Sequence, residues 1–129
     1  AETPEDLYGV SDFITLHLAS TPETRGFVGT AAFAAMKPGA RLINAARGDV
    51  VDQDALVEAL RSGHLGGAGI DVFAQEPTTE SPLFGLPGVV VTPHLGASTE
   101  EAQDRAGVVV AEQVAAALTG GVVTSAVNI

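Results

Sequence analysis

GARLINAARGDVVDQDALVEALRSGHLGGAGIDVF, residues 39–73, is the stretch on which the fold turns. RLINA, at 41–45, is a β-rich run that predicts a strand. After a short loop Asp52 can cap a helix in which Leu56, Ala59 and Leu60 fall at helical spacing, and Gly63 stops it. GIDVF, at 69–73, predicts the next strand. Upstream, FITLHL at 13–18 has the same character, so strand starts near 13, 41 and 69 are spaced by 28, the length of a βα repeat. Such repeats call for right-handed crossovers and a parallel sheet. VVVT at 89–92 predicts a fourth strand. The continuous apolar character of LI at 42–43 and VVV at 89–91 predicts a sheet covered on both faces.

The remaining segments carry helix signals. Thr3-Pro4-Glu5-Asp6 places a capping hydroxyl, an early proline and two acids at a helix start, predicting a short helix to about Val10. Thr30 can cap a brief helix through Ala31, Phe33, Ala34 and Met36, ended by Lys37-Pro38-Gly39. Ser98-Thr99-Glu100-Glu101 has the form of a capping box and opens a helix of about twenty residues. Ala102, Ala106, Val109, Val110, Val114 and Leu118 mark one face of it, and Gly120-Gly121 ends it.

Composition limits what such a chain can do. Its 129 residues suffice for one core, with 46% apolar residues but only 5% aromatic ones and no Trp, so the interior is aliphatic. A formal charge of −10 argues against nucleic acid and against an anionic membrane surface. No apolar run reaches the ~18 residues of a membrane span. With no cysteine there is no disulfide framework or thiolate site, and three scattered histidines give no metal-ligand cluster. These features fit a soluble, cytoplasmic protein.

Open parallel sheets bind ligands just beyond the C-terminal ends of their strands, so the residues there are the candidates. After RLINA comes Arg47, whose guanidinium can fork onto a carboxylate; the alternative is an ion pair with a nearby acid. Gly48 beside it would let backbone approach a ligand. Glu76 and His94 can form a carboxylate–imidazole pair for acid/base work, or His94 can simply cap a strand end. Asp71, an acid in an apolar strand, can hold a polar ligand group or cap backbone amides. His17 is a ligand-lining residue or a satisfied core histidine. His64 reads as a surface cation at a helix end, and Gly66-Gly67 as a turn. No Gly-x-Gly-x-x-Gly follows a strand, and neither a Walker-type loop nor a serine nucleophile elbow occurs.

The runs LHLASTPETRGFVG, MKPGARLINAARGDVVDQDALVEALRSGHLGGAGIDVFAQEP and VVVTPHLGASTEEAQDRAG together resemble the D-isomer-specific 2-hydroxyacid dehydrogenases, and the last is most like their phosphoglycerate branch. The resemblance implies the second half of a Rossmann-like NAD-binding domain over 1–98, with a long helix and terminal strand, TSAVNI, over 99–129 leading back to a substrate domain. It further implies that Arg47 binds the substrate carboxylate and C2 oxygen, that Glu76 is the acid of the dyad, and that His94 takes the hydroxyl proton as hydride leaves for NAD. By the same match His17 and the backbone of Ala45 and Ala46 line the cofactor, Asp71 holds the nicotinamide amide, and Gly96 and Ala97 flank the ring.

The implied activity is NAD-dependent oxidation of D-3-phosphoglycerate to 3-phosphohydroxypyruvate in serine biosynthesis. Alternatives are another D-2-hydroxyacid substrate, or a non-catalytic NAD-responsive or scaffold module. In that family the glycine-rich turn and the substrate-binding residues lie upstream of the segment matched here. The resemblance therefore predicts a fragment, inactive alone, that self-associates as a homo-oligomer through the apolar surface left bare.

Overall fold

In the computed structural model, which describes residues 1–126, the 39–73 stretch forms the strand–helix–strand unit expected of it. The order is α1 (Pro4–Val10), β1 (Phe13–Leu16), α2 (Thr30–Ala35), β2 (Arg41–Asn44), a 3-10 turn (Gly48–Val50), α3 (Gln53–Arg61), β3 (Gly67–Ile70), β4 (Val89–Val91) and α4 (Glu100–Leu118). The chain divides into two compact units, Ala1–His94 and Leu95–Ile129.

The first unit is a parallel four-stranded sheet in the order β1-β2-β3-β4. Its register aligns Leu16, Asn44, Ile70 and Val91 in one row, so all four strands leave the sheet at a common edge. Sheet order corrects one expectation. Ile14, Leu16, Leu42, Ala68 and Ile70 are buried against Tyr8, Phe33, Leu56 and Val57 from the three helices, whereas Phe13 and Val90, which point the other way, are 65% and 68% exposed. The sheet of this unit is therefore covered on one face, not two. Strands that advance in one direction across a sheet, with crossovers of one hand, put every crossover helix on the same side.

Local chemistry accounts for the elements. Thr3 and Asp6 form a reciprocal capping box on α1. Asp52 caps α3 as expected, its Oδ1 accepting the amides of Asp54 and Ala55 at 3.1 Å each. Two caps differ. Gly29, not Thr30, is the N-cap of α2, without a side-chain bond, because Thr30 already has helical backbone. Thr99, not Ser98, caps α4 by accepting from the Ala102 amide at 3.2 Å. That shift puts Ala102 at the third helical position, so Glu100 and Glu101 act through the helix dipole instead of closing a box. No residue of α4 is buried.

Gly66-Gly67 is not a turn. Gly67 opens β3, and a Cβ on it would lie 2.5 Å from the Gly88 carbonyl oxygen; a Cβ on Gly66 would meet the Gly39 oxygen at the same distance. The strand thus starts two residues before GIDVF, where side chains would block the neighbouring backbone. His64 does not stand free at the surface either. Its Nε2–H donates to the carbonyls of Phe33 and Met36 at 2.9 and 3.1 Å, tying the exit of α3 to the end of α2. Residues 124 and 125 form a turn where the TSAVNI strand was expected, and its last three residues, 127–129, lie outside the described residues.

Candidate active site

Arg47 leaves β2 through a turn shaped by Asn44. Its guanidinium is exposed, donates from Nη1 to the Ala46 carbonyl at 2.6 Å, and has no carboxylate partner among the described residues. The acid nearest in sequence, Asp49, is engaged elsewhere: its Oδ2 takes the Ser20 hydroxyl at 2.6 Å and the Arg25 Nε at 3.2 Å. Between the two readings of Arg47, the structure therefore presents a cation available to a ligand.

Gly48 has a steric reason for being glycine. A Cβ there would fall 2.0 Å from the Phe73 carbonyl carbon and 2.3 Å from the Ala74 nitrogen. The turn after β2 is pressed directly onto the backbone that leaves β3.

That backbone in turn orients Glu76. The Phe73 amide donates to Glu76 Oε1 at 2.7 Å, and Glu76 Oε2 lies 2.7 Å from His94 Nδ1. The bond to His94 first, and the Phe73 amide second, hold the Glu76 carboxyl below its ordinary value. His94 stands at φ 59°, in the left-handed region that non-glycine residues seldom occupy. The expected pair is thus formed, and a strained backbone aims the ring.

Asp71, one residue past β3, is 8% exposed, and its Oδ1 accepts the Thr92 hydroxyl from the exit of β4. His17 lies one residue past β1 and is exposed, 3.1 Å from Thr15 Oγ1, which removes the core-histidine reading. Ala45 is exposed and Ala46 half-buried at the exit of β2. Gly96 and Ala97 belong to the second unit. Among the described residues no group of three or more His, Asp or Glu could hold a metal ion.

A cleft of about 300 Å³ is lined by Ser20, Arg47, Asp49, Phe73, Glu76 and His94. A cavity of about 510 Å³ is lined by Phe73, Phe84, Val91 and Pro93 together with Glu76 and His94. Phe73 and Phe84 meet edge to face there, with centroids 5.7 Å apart. Pattern reading missed three contributors: Asn44, Thr92 and the Phe73 amide. Asn44 was visible in principle, as a polar residue two positions after Leu42 on the inward side of an apolar strand. The Phe73 amide carries no side-chain signal at all.

A parallel α/β sheet that delivers a guanidinium without a carboxylate partner among the described residues, a buried carboxylate and an imidazole–carboxylate pair to one edge has the build of a ligand-binding half of a dinucleotide-type domain. The chain belongs to the D-isomer specific 2-hydroxyacid dehydrogenase NAD binding domain family, whose profile matches residues 1–96. It is 59% identical to a D-3-phosphoglycerate dehydrogenase of Mycobacterium leprae (strain TN) over 125 residues, which is 97% of this chain and 24% of that protein.

Solved structures agree with the fold. A D-isomer specific 2-hydroxyacid dehydrogenase from Polaromonas sp. JS6 66 superposes with a TM-score of 0.89 at 37% identity, over 96% of this chain and 39% of that one. One from Xanthobacter autotrophicus Py2, in complex with NADPH and MES, gives 0.84 at 38% identity, over 96% and 51%. The chain spans about a quarter of the length of these curated relatives.

Proposed function

We propose that this chain supplies the nicotinamide side of the cofactor site and the acid/base pair for NAD-dependent oxidation of D-3-phosphoglycerate to 3-phosphohydroxypyruvate. The observation that carries it is the His94–Glu76 pair sharing one cleft with Arg47, which has no carboxylate partner among the described residues. The relatives' names supply the substrate.

The residues present fit the nicotinamide end of the cofactor. A nicotinamide amide needs an anchored acceptor next to accessible backbone. Asp71, buried and bonded by Thr92, and the exposed Ala45 with Ala46 meet that need, and His17 lines the same sheet edge; the roles of Gly96 and Ala97 beside the ring rest on the family resemblance alone. No glycine-rich turn for the pyrophosphate occurs in the 129 residues. When bound, NAD is the hydride acceptor.

The chain's own groups do the rest. Arg47 forks onto the substrate carboxylate and C2 oxygen, placing the hydroxyl against His94. Glu76 accepts the Nδ1–H of His94, which leaves Nε2 with the lone pair that takes the hydroxyl proton as the C2–H bond breaks. A positioned base of this kind contributes roughly 10²- to 10⁴-fold in rate.

The test is NADH formation by the full-length enzyme with Arg47→Ala, Glu76→Gln or His94→Ala, each expected to collapse the rate. Full activity in any one would sink that residue's role. A panel of 2-hydroxyacids, phosphorylated and not, decides the substrate; equal kcat/KM for an unphosphorylated acid would favour another D-2-hydroxyacid. The net charge of −10 and the absence of cysteine support a cytoplasmic setting without nucleic acid. Exposed Phe13 and Val90 on the open sheet face support a homo-oligomer.

A further inference from the structure

Asn44 closes β2 and is 1% exposed. Its row across the sheet is otherwise aliphatic, with Leu16, Ile70 and Val91. A primary amide in such a row is costly unless both of its ends are bonded. Both are. Oδ1 accepts the Ala46 amide at 3.1 Å and Nδ2 donates to the Arg47 carbonyl at 2.9 Å. The chemistry fixes which end is which, since a backbone N–H only donates and a carbonyl only accepts.

These two bonds close the loop that carries Arg47. On its far side Gly48 is pressed against the Phe73–Ala74 backbone, whose Phe73 amide also holds Glu76. Arg47, with extended backbone at φ −145° and ψ 140°, stands between the two clamps. An aliphatic side chain would fill the position of Asn44 equally well and match its row, so packing does not explain the amide. Shaping the loop does.

We propose that Asn44 is the positioning residue for Arg47, setting the direction in which the guanidinium leaves the sheet and so the recognition of the substrate carboxylate. The inference rests on the assignment of Arg47 to that carboxylate. It adds a requirement on a residue that cannot itself reach the substrate.

The experiment uses the full-length enzyme. Asn44→Leu keeps the row aliphatic and removes both bonds; Asn44→Ser can satisfy one of the two backbone groups. Asn44→Leu is expected to lower kcat/KM for the hydroxyacid by about 10- to 100-fold, mainly through the KM of the hydroxyacid. Asn44→Ser should recover part of that loss, and a folded Asn44→Ser with a raised KM carries the proposal should Asn44→Leu fail to fold. Combined with Arg47→Ala, either variant should add nothing further, because both changes act through one group.

Additive losses in the double variant would overturn the proposal. So would a lowered Tm with kcat/KM intact, which would make Asn44 structural only. If Arg47→Ala itself keeps full kcat/KM, the assignment of Arg47 falls and the inference falls with it. Collapse in Arg47→Ala with no effect at Asn44 removes the inference alone.

Discussion

His94 Nδ1 lies 2.7 Å from Glu76 Oε2, although the two residues leave the sheet from different strands and stand 18 apart in the chain. The carboxylate is shared between that ring and the Phe73 amide, so each of its oxygens has one donor. Two fixed donors orient a carboxylate more firmly than one, and the imidazole inherits that orientation.

The pair makes a pH prediction. Because both donors favour the ionised form, the Glu76 carboxyl binds its proton less readily in the folded chain than in the unfolded one, where its ordinary value is 4.5. Its contribution to stability is therefore complete above pH 4.5 and is lost as pH falls through the lower folded value. Carboxyl ¹³C titration of a protein labelled at Glu should place Glu76 below 4.5, and His94→Ala should raise it. A midpoint at or above the ordinary value would show that the bond is absent in solution.

Gly48 should tolerate no side chain. A methyl group 2.0 Å from the Phe73 carbonyl carbon has backbone, not a flexible side chain, in its way. Gly48→Ala is expected to cost about 3 kcal/mol in urea unfolding. It should also lower kcat/KM of the full-length enzyme, since the same contact seats both Arg47 and Phe73. A stable, fully active Gly48→Ala would mean the two turns are farther apart than described.

Asp52 separates helix stability from chemistry. It accepts two amides at the start of α3, away from the cleft, so Asp52→Ala should lower stability by about 1 kcal/mol. Its KM for substrate should stay unchanged. A raised KM with native stability would reverse that assignment.

Self-association has a direct readout. The chain has a mass of 13.0 kDa, and light scattering should find species larger than this. Phe13→Ser with Val90→Lys, both on the open face, should shift the population to monomer. A clean monomer for the unaltered chain would count against the homo-oligomer.

Much of this was legible in the residues. Start signals located α1, helical spacing located α3 and β-rich apolar runs located every strand of the described sheet, and the cap at Asp52 was readable because capping is local chemistry within four residues. Arg47, Glu76 and His94 were identifiable as candidates because strand ends are where parallel sheets place ligands, and the resemblance assigned their roles.

What only the tertiary structure decided is which groups meet. One-sided burial follows from strand order, a property of the whole sheet that apolar runs such as VVV at 89–91 cannot encode. The meaning of Gly48 and Gly67 depends on backbone from 25 and 21 residues away, at Phe73 and Gly88. His64 reads as a surface cation until the carbonyls of Phe33 and Met36 are brought to it. The sequence by itself determined the elements, because their signals are periodic and short-range. The structure determined the pairings, because hydrogen bonds and contacts between distant segments depend on distances that exist only once the sheet has formed.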